Sequence, residues 1–117
     1  MSDELYKIEQ RDDIVIIAFE LGDFLHDVND QLMKGFELLW AQGHKKMVLD
    51  MAQTNYVSSL ILASLVFIQK RAKDSGGALV ICGIKPRVQE ILTMTNLDKV
   101  FEITKTREEA VALLKKK

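Results

Sequence analysis

The side chains of this chain that could do chemistry are two histidines, one cysteine, an aspartate that closes a predicted strand, and a pair of adjacent serines. His26 and His44 lack metal-ligand spacing, and each falls near an end of a predicted helix, where a solvated role suits it. Cys82 closes the apolar run Ala78 to Cys82, where a thiol is a small core residue and not a nucleophile. As the single cysteine it excludes an internal disulfide and a multi-cysteine metal site, and it implies a reducing compartment. Gly76-Gly77 lacks the Lys-Ser/Thr and the spacing of a phosphate-cradling loop and follows a helix, so it reads as a turn; Gly83 and Pro86 belong to another. Asp50 could serve as a general base only if it were desolvated beside a hydroxyl, and neither condition is indicated. The expectation is a protein that is not an enzyme, with no catalytic residues, no cofactor and no metal.

The serines are the uncommon feature. Ser58-Ser59 stands at the mouth of a helix whose first two turns, from Leu60 to Phe67, are apolar on nearly every face. Two readings stay open. In one, a serine hydroxyl simply caps the helix. In the other, the hydroxyls lie on an exposed loop beside a contact surface, and a kinase could add about −1.5 to −2 charges there. A helix N-terminus tolerates that charge, so phosphorylation would repel a partner without unfolding the domain.

The elements that must position this pair follow from periodicity. Leu5 to Glu9 alternates, Ile14 to Phe19 is β-branched, and Arg11-Asp12-Asp13 lies between, which predicts a hairpin of a half-buried edge strand and a more central one. Val28, Leu32, Phe36 and Trp40 recur every four positions as the apolar face of a helix that ends near Gly43. Met47 to Leu49 forms a buried strand ending at Asp50, and the polar segment Met51 to Ser59 reads as a turn. The next helix runs to Gly76-Gly77 and feeds the strand Ala78 to Cys82. Pro86 opens a helix with Val88, Ile91 and Leu92, which Asn96 can end in the left-handed conformation. Val100 to Ile103 is the last strand, and Thr106 with Glu109 makes a capping box for a helix carrying Ala110, Val111 and Leu114. The order is ββαβαβαβα, an α/β fold with a mixed sheet of about five strands and about four helices.

Bulk properties agree with a single domain over residues 1–117. The sequence is 48% hydrophobic and 28% charged, and its 16 basic and 17 acidic side chains leave a formal charge of −1. No global field draws it to nucleic acid or to an anionic membrane. No apolar stretch approaches the ~20 residues of a membrane span, and Met1 to Gln10 carries charges where a signal peptide needs an apolar run. The expected location is cytoplasmic.

From Met47 to Leu114 the chain resembles the STAS domain family, and within it bacterial anti-sigma factor antagonists. The matching features are a strand ending in Asp50, the Tyr56-Val57-Ser58-Ser59 loop into an apolar helix, and Lys70-Arg71-Ala72-Lys73 before Gly76-Gly77. Further on come Leu79 to Gly83, Pro86-Arg87-Val88, the phrase Met94 to Phe101, and Glu109-Ala110. The resemblance implies a regulator of transcription that binds an anti-sigma factor serine kinase to release a sigma factor. It further implies that serine phosphorylation switches the protein off and that a serine phosphatase is a second partner. Set by its distance to Gly76-Gly77, the family's Asp-Ser-Ser-Gly-Leu loop places its phosphorylated serine on Ser59, with Ser58 the second choice. Leu60, Ile61 and Leu62 then stand where the family has serine, glycine and leucine. The family's Gly-x-Leu-Asp phrase appears only as Gly22-Asp23-Phe24-Leu25, so its acidic role passes to Asp23 or Asp27. The expected partner surface is therefore Asp23, Asp27, Tyr56, Val57, Ser58, Ser59, Leu60 and Ile61. The alternative is a STAS subunit that docks permanently in a multiprotein or lipid-transport assembly, without a switch. A small-ligand or nucleotide sensor is a third reading.

Overall fold

The computed structural model describes residues 6–20, 22–24 and 28–117. Among them, strands β1 (Tyr6–Arg11), β2 (Ile14–Phe19) and β3 (Asp23–Phe24) precede helix α1 (Asn29–Ala41). Next come β4 (Lys46–Asp50), β5 (Tyr56–Val57), α2 (Ser59–Asp74) and β6 (Ala78–Cys82). The chain closes with α3 (Pro86–Met94), a 3-10 turn (Leu97–Lys99), β7 (Glu102–Thr104) and α4 (Arg107–Lys115). Five strands form one sheet in the order β1-β2-β4-β6-β7, antiparallel only at β1-β2, and β3 pairs with β5 in a separate parallel ladder. The expected mixed sheet and its helices are what the chain forms.

Burial follows from how the sheet is covered. Val15, Ile17, Met47, Leu49, Leu79 and Ile81 point to one face and pack against α1, α2 and α3. Ile14, Ile16, Val48, Val80 and Cys82 point to the other, under Ala110, Val111 and Leu114 of α4. Strands buried on both sides must be apolar without alternation, which is why β2, β4 and β6 read as continuous runs. The helices between parallel neighbours all lie on the first face, as right-handed crossovers in one direction require.

Several expectations are refined. Edge strand β1 is more than half exposed: Lys7, Ile8, Glu9 and Gln10 are all exposed, because α4 lies over β4, β6 and β7 and leaves β1 bare. In α1 it is Leu39, not Trp40, that completes the buried face with Leu32 and Phe36. A strict four-residue repeat drifts by about 40° per step on a 3.6-residue helix, so Trp40 leaves the core. It lies half-buried instead, with the Arg71 guanidinium 4.5 Å from its ring centre and Arg71 also paired to Glu37 at 2.7 Å. The last strand begins at Glu102, not at Val100. Asn96 does adopt the left-handed conformation (φ 62°), but the 3-10 turn behind it uses up Leu97 to Val100 before the chain reaches the sheet.

Candidate functional site

The serine loop begins where β4 ends. The Met51 N–H donates the last ladder bond to the Cys82 carbonyl at 3.0 Å, and Asp50 Oδ1 then accepts the Ala52 N–H at 3.1 Å as the chain leaves the sheet. Asp50 Oδ2 accepts from Arg107 Nε and Nη2 at 3.0 and 2.7 Å. Arg107 Nη1 reaches Glu9, which also accepts from Arg11 Nε at 2.7 Å. The Asp50 carboxylate is thus occupied by a cation and a backbone donor, the arrangement of a structural anchor and not of a general base. Beside it Cys82 is buried, and burial, with the Asp50 charge second, pushes its thiol up to about 12. At neutral pH it is a protonated core residue.

The segment read as a turn contains a short strand. The Tyr56 N–H donates to the Gly22 carbonyl at 3.1 Å, and β5 runs in register with β3, Asp23 opposite Tyr56. A Cβ on Gly22 would lie 2.8 Å from the Asn55 side-chain nitrogen, so glycine permits this close approach. Asn55 in turn accepts from Lys85 Nζ at 2.7 Å, at the start of α3. The ladder therefore fixes Asp23 next to the loop, and both Asp23 and Tyr56 are exposed. Asp27 and His26 lie outside the described residues. A strand of two residues carries no periodic signal, which is why composition alone gave only a turn here.

The two serines separate by role. Ser58 is the N-cap of α2: its backbone is extended, its Oγ accepts the Ile61 N–H at 3.2 Å, and the side chain is half-buried. Ser59 is the first helical residue, exposed, and its hydroxyl makes no hydrogen bond among the described residues. The first turn of α2 holds no acidic side chain, so its positive dipole end has no anionic complement within the helix.

Beyond the serines the helix divides into two faces. Ile61, Leu62, Leu65, Ile68 and Ala72 are core, and Ser64 is buried in a hydrogen bond to Asn29 at the start of α1. Leu60 (46% exposed), Ala63 and Phe67 (50%) form an apolar stripe at helical spacing on the outside. Of the residues expected to meet a partner, Val57 and Ile61 are corrected to core positions, 2% and 0% exposed, because the β5 pleat and the helix turn point them inward. Asp23, Tyr56, Ser58, Ser59 and Leu60 share the accessible rim. Phe67 carries no outward signal in the sequence, because it sits in a run apolar on nearly every side; only the buried neighbours decide which apolar residue faces out.

The family model of the STAS domain matches residues 6–110. The chain belongs to the STAS domain family. An inferred anti-sigma factor antagonist of Thermotoga maritima is 30% identical over 114 residues, 96% of this chain and 97% of that protein. The inferred anti-sigma factor antagonist BtrV of Bordetella bronchiseptica is 31% identical over 74 residues, 63% of this chain and 64% of the relative's length. In three dimensions the STAS chain matches the crystal structure of an inferred anti-sigma factor antagonist from Thermotoga maritima with a TM-score of 0.87 at 24% identity, covering 94% of each chain. It also matches the Bacillus cell fate determinant SpoIIAA in its phosphorylated form, with a TM-score of 0.70 at 15% identity, over 92% of this chain and 96% of that one.

Proposed function

We propose that this STAS domain is an anti-sigma factor antagonist that docks an anti-sigma factor serine kinase through the rim of Asp23, Tyr56, Ser58, Ser59 and Leu60, and that phosphate on Ser59 dissolves the complex. The observation that carries the reading is the state of Ser59. Its hydroxyl is exposed and unbonded among the described residues, at the N-terminus of a helix whose first turn holds no acidic side chain, directly beside the Leu60-Ala63-Phe67 stripe. A phosphate there gains from the helix dipole and leaves the core untouched, while it sets about −1.5 to −2 charges on the surface a partner must dehydrate. Ser58 is a poorer acceptor because its oxygen already caps the helix. Binding frees the sigma factor held by the kinase, and a serine phosphatase resets the protein in the cytoplasm.

Incubation with a cognate anti-sigma kinase and ATP is expected to add one phosphate by intact mass, lost in Ser59→Ala and kept in Ser58→Ala. Absence of both phosphate and complex overturns the proposal. The permanent-scaffold reading has one observation in its favour: Leu60 and Ile61 stand where the resemblance places a serine and a glycine. It predicts that Ser59→Asp leaves partner affinity unchanged.

A further inference from the structure

Strand β1 forms one edge of the sheet, and its sequence is complementary to itself. The β1-β2 hairpin closes on the pair Arg11 and Ile14 across the two-residue turn Asp12-Asp13. A pair flanking a turn of that length exchanges hydrogen bonds, so Arg11, Glu9 and Lys7 bond inward to β2. Tyr6, Ile8 and Gln10 therefore aim their N–H and C=O groups outward. Such an edge, six residues long and with Ile8 half exposed, is a template for another strand.

Charge decides which strand fits. A second copy pairing antiparallel about a two-fold axis must bring outward-bonding residues opposite each other, which within the strand allows registers centred on Lys7, Ile8, Glu9 or Gln10; the last pairs only Glu9, Gln10 and Arg11 and brings together charges already tied to Arg107 and Glu108. Centring on Lys7 sets Lys7 against Lys7. Centring on Glu9 sets Glu9 against Glu9 and Lys7 against Arg11. Of the first three only the Ile8 register is attractive, and it pairs five residues on each side: Lys7 faces Glu9 twice, Ile8 meets Ile8, and Tyr6 meets Gln10. Lys7 is also the β1 charge that lacks an acidic partner among the described residues, since Arg11 pairs with Glu9 and Glu108 and Glu9 with Arg11 and Arg107.

We infer that β1 is a self-association edge, through which two copies of this chain form a two-fold antiparallel dimer centred on Ile8. About six backbone hydrogen bonds and two Lys7-Glu9 pairs hold it. The contact is shorter than a standard interface of roughly 1,600 Å², so the dimer is weak and depends on concentration and salt. It lies at the opposite end of the sheet order from β7 and uses none of the serine rim.

Sedimentation equilibrium tests this with charge-swapped variants. The wild-type protein is expected to shift from monomer toward dimer between about 10 μM and 1 mM. Lys7→Glu alone and Glu9→Lys alone are each expected to stay monomeric at least tenfold higher in concentration. An equimolar mixture of the two should dimerise again, because position 7 of the Lys7→Glu copy then faces position 9 of the Glu9→Lys copy, and Glu9 of the first faces Lys7 of the second, an acid against a base at both sites. Since Glu9→Lys also removes internal ion pairs, Ile8→Cys gives a second readout: oxidation should link it into a disulfide dimer, whereas Gln10→Cys should not be linked. A wild-type protein monomeric at 1 mM overturns the inference. So do a dimer indifferent to Lys7→Glu, a mixture that stays monomeric, or assemblies larger than two.

Discussion

At the scale of single residues, the two serines differ by one position and by everything that matters chemically. Ser58→Ala removes the hydroxyl that satisfies the Ile61 N–H and should cost about 1 kcal/mol in a denaturant titration. Ser59→Ala removes a hydroxyl with no partner among the described residues and should fall within about 0.5 kcal/mol of wild type. Equal losses for both would contradict the assignment of the cap. The sequence left the cap open between them, because which serine is extended and which is helical depends on where the β3-β5 ladder releases the chain. A second residue-scale expectation concerns Glu9, whose hydrogen bond from Arg11, with Arg107 adding to it, holds the carboxyl below the usual carboxylate value. A depressed folded-state value means that Glu9 favours folding above the ordinary carboxylate pKa, and that this contribution is lost as pH falls through the lowered value. Carboxyl carbon NMR should show Glu9 titrating below an ordinary glutamate, and Arg11→Ala should move it back up.

Elements show why half of an apolar helix is core and half faces out. The interior of α2 includes Ile61, fully buried, so Ile61→Ala should cost about 2–5 kcal/mol. Its neighbour Leu60 is nearly half exposed; Leu60→Asp should leave thermal unfolding almost unchanged while weakening partner binding at least tenfold. If Leu60→Asp unfolds the domain or binds as well as wild type, the stripe is not a docking face. The strands β1, β2, β4 and β6, the Pro86 start, the Thr106-Glu109 capping box and the left-handed Asn96 were legible because each depends on local chemistry: a fixed φ, a side-chain cap, an apolar or alternating run. The inward turn of Val57 and Ile61, the displacement of Trp40 by Leu39 and the late start of β7 were not legible. Each is set by which neighbour arrives to cover a face, a long-range fact that one segment does not contain.

For the whole molecule, the sheet is a platform that carries the serine loop at the C-terminal end of β4 and anchors it from the other face through Arg107 and Asp50. Its junctions are tight. A Cβ on Gly77 would lie 2.2 Å from the Lys45 carbonyl oxygen, a backbone atom that cannot swing away. Gly77→Ala should therefore lower the midpoint of thermal unfolding by several degrees, as a loss of roughly 1–3 kcal/mol would in a domain of this size. An unchanged midpoint would show that the junction between α2 and β6 can relax. The mixed α/β order and the family resemblance reached this architecture from sequence, while the pairing of Asp23 with the loop needed the fold. The most direct test of the central claim is calorimetric titration of a cognate anti-sigma factor kinase with this protein, once unmodified and once stoichiometrically phosphorylated on Ser59. The account predicts a tight complex for the first and at least a tenfold loss of affinity for the second, with circular dichroism unchanged; equal affinities for the two forms would contradict it.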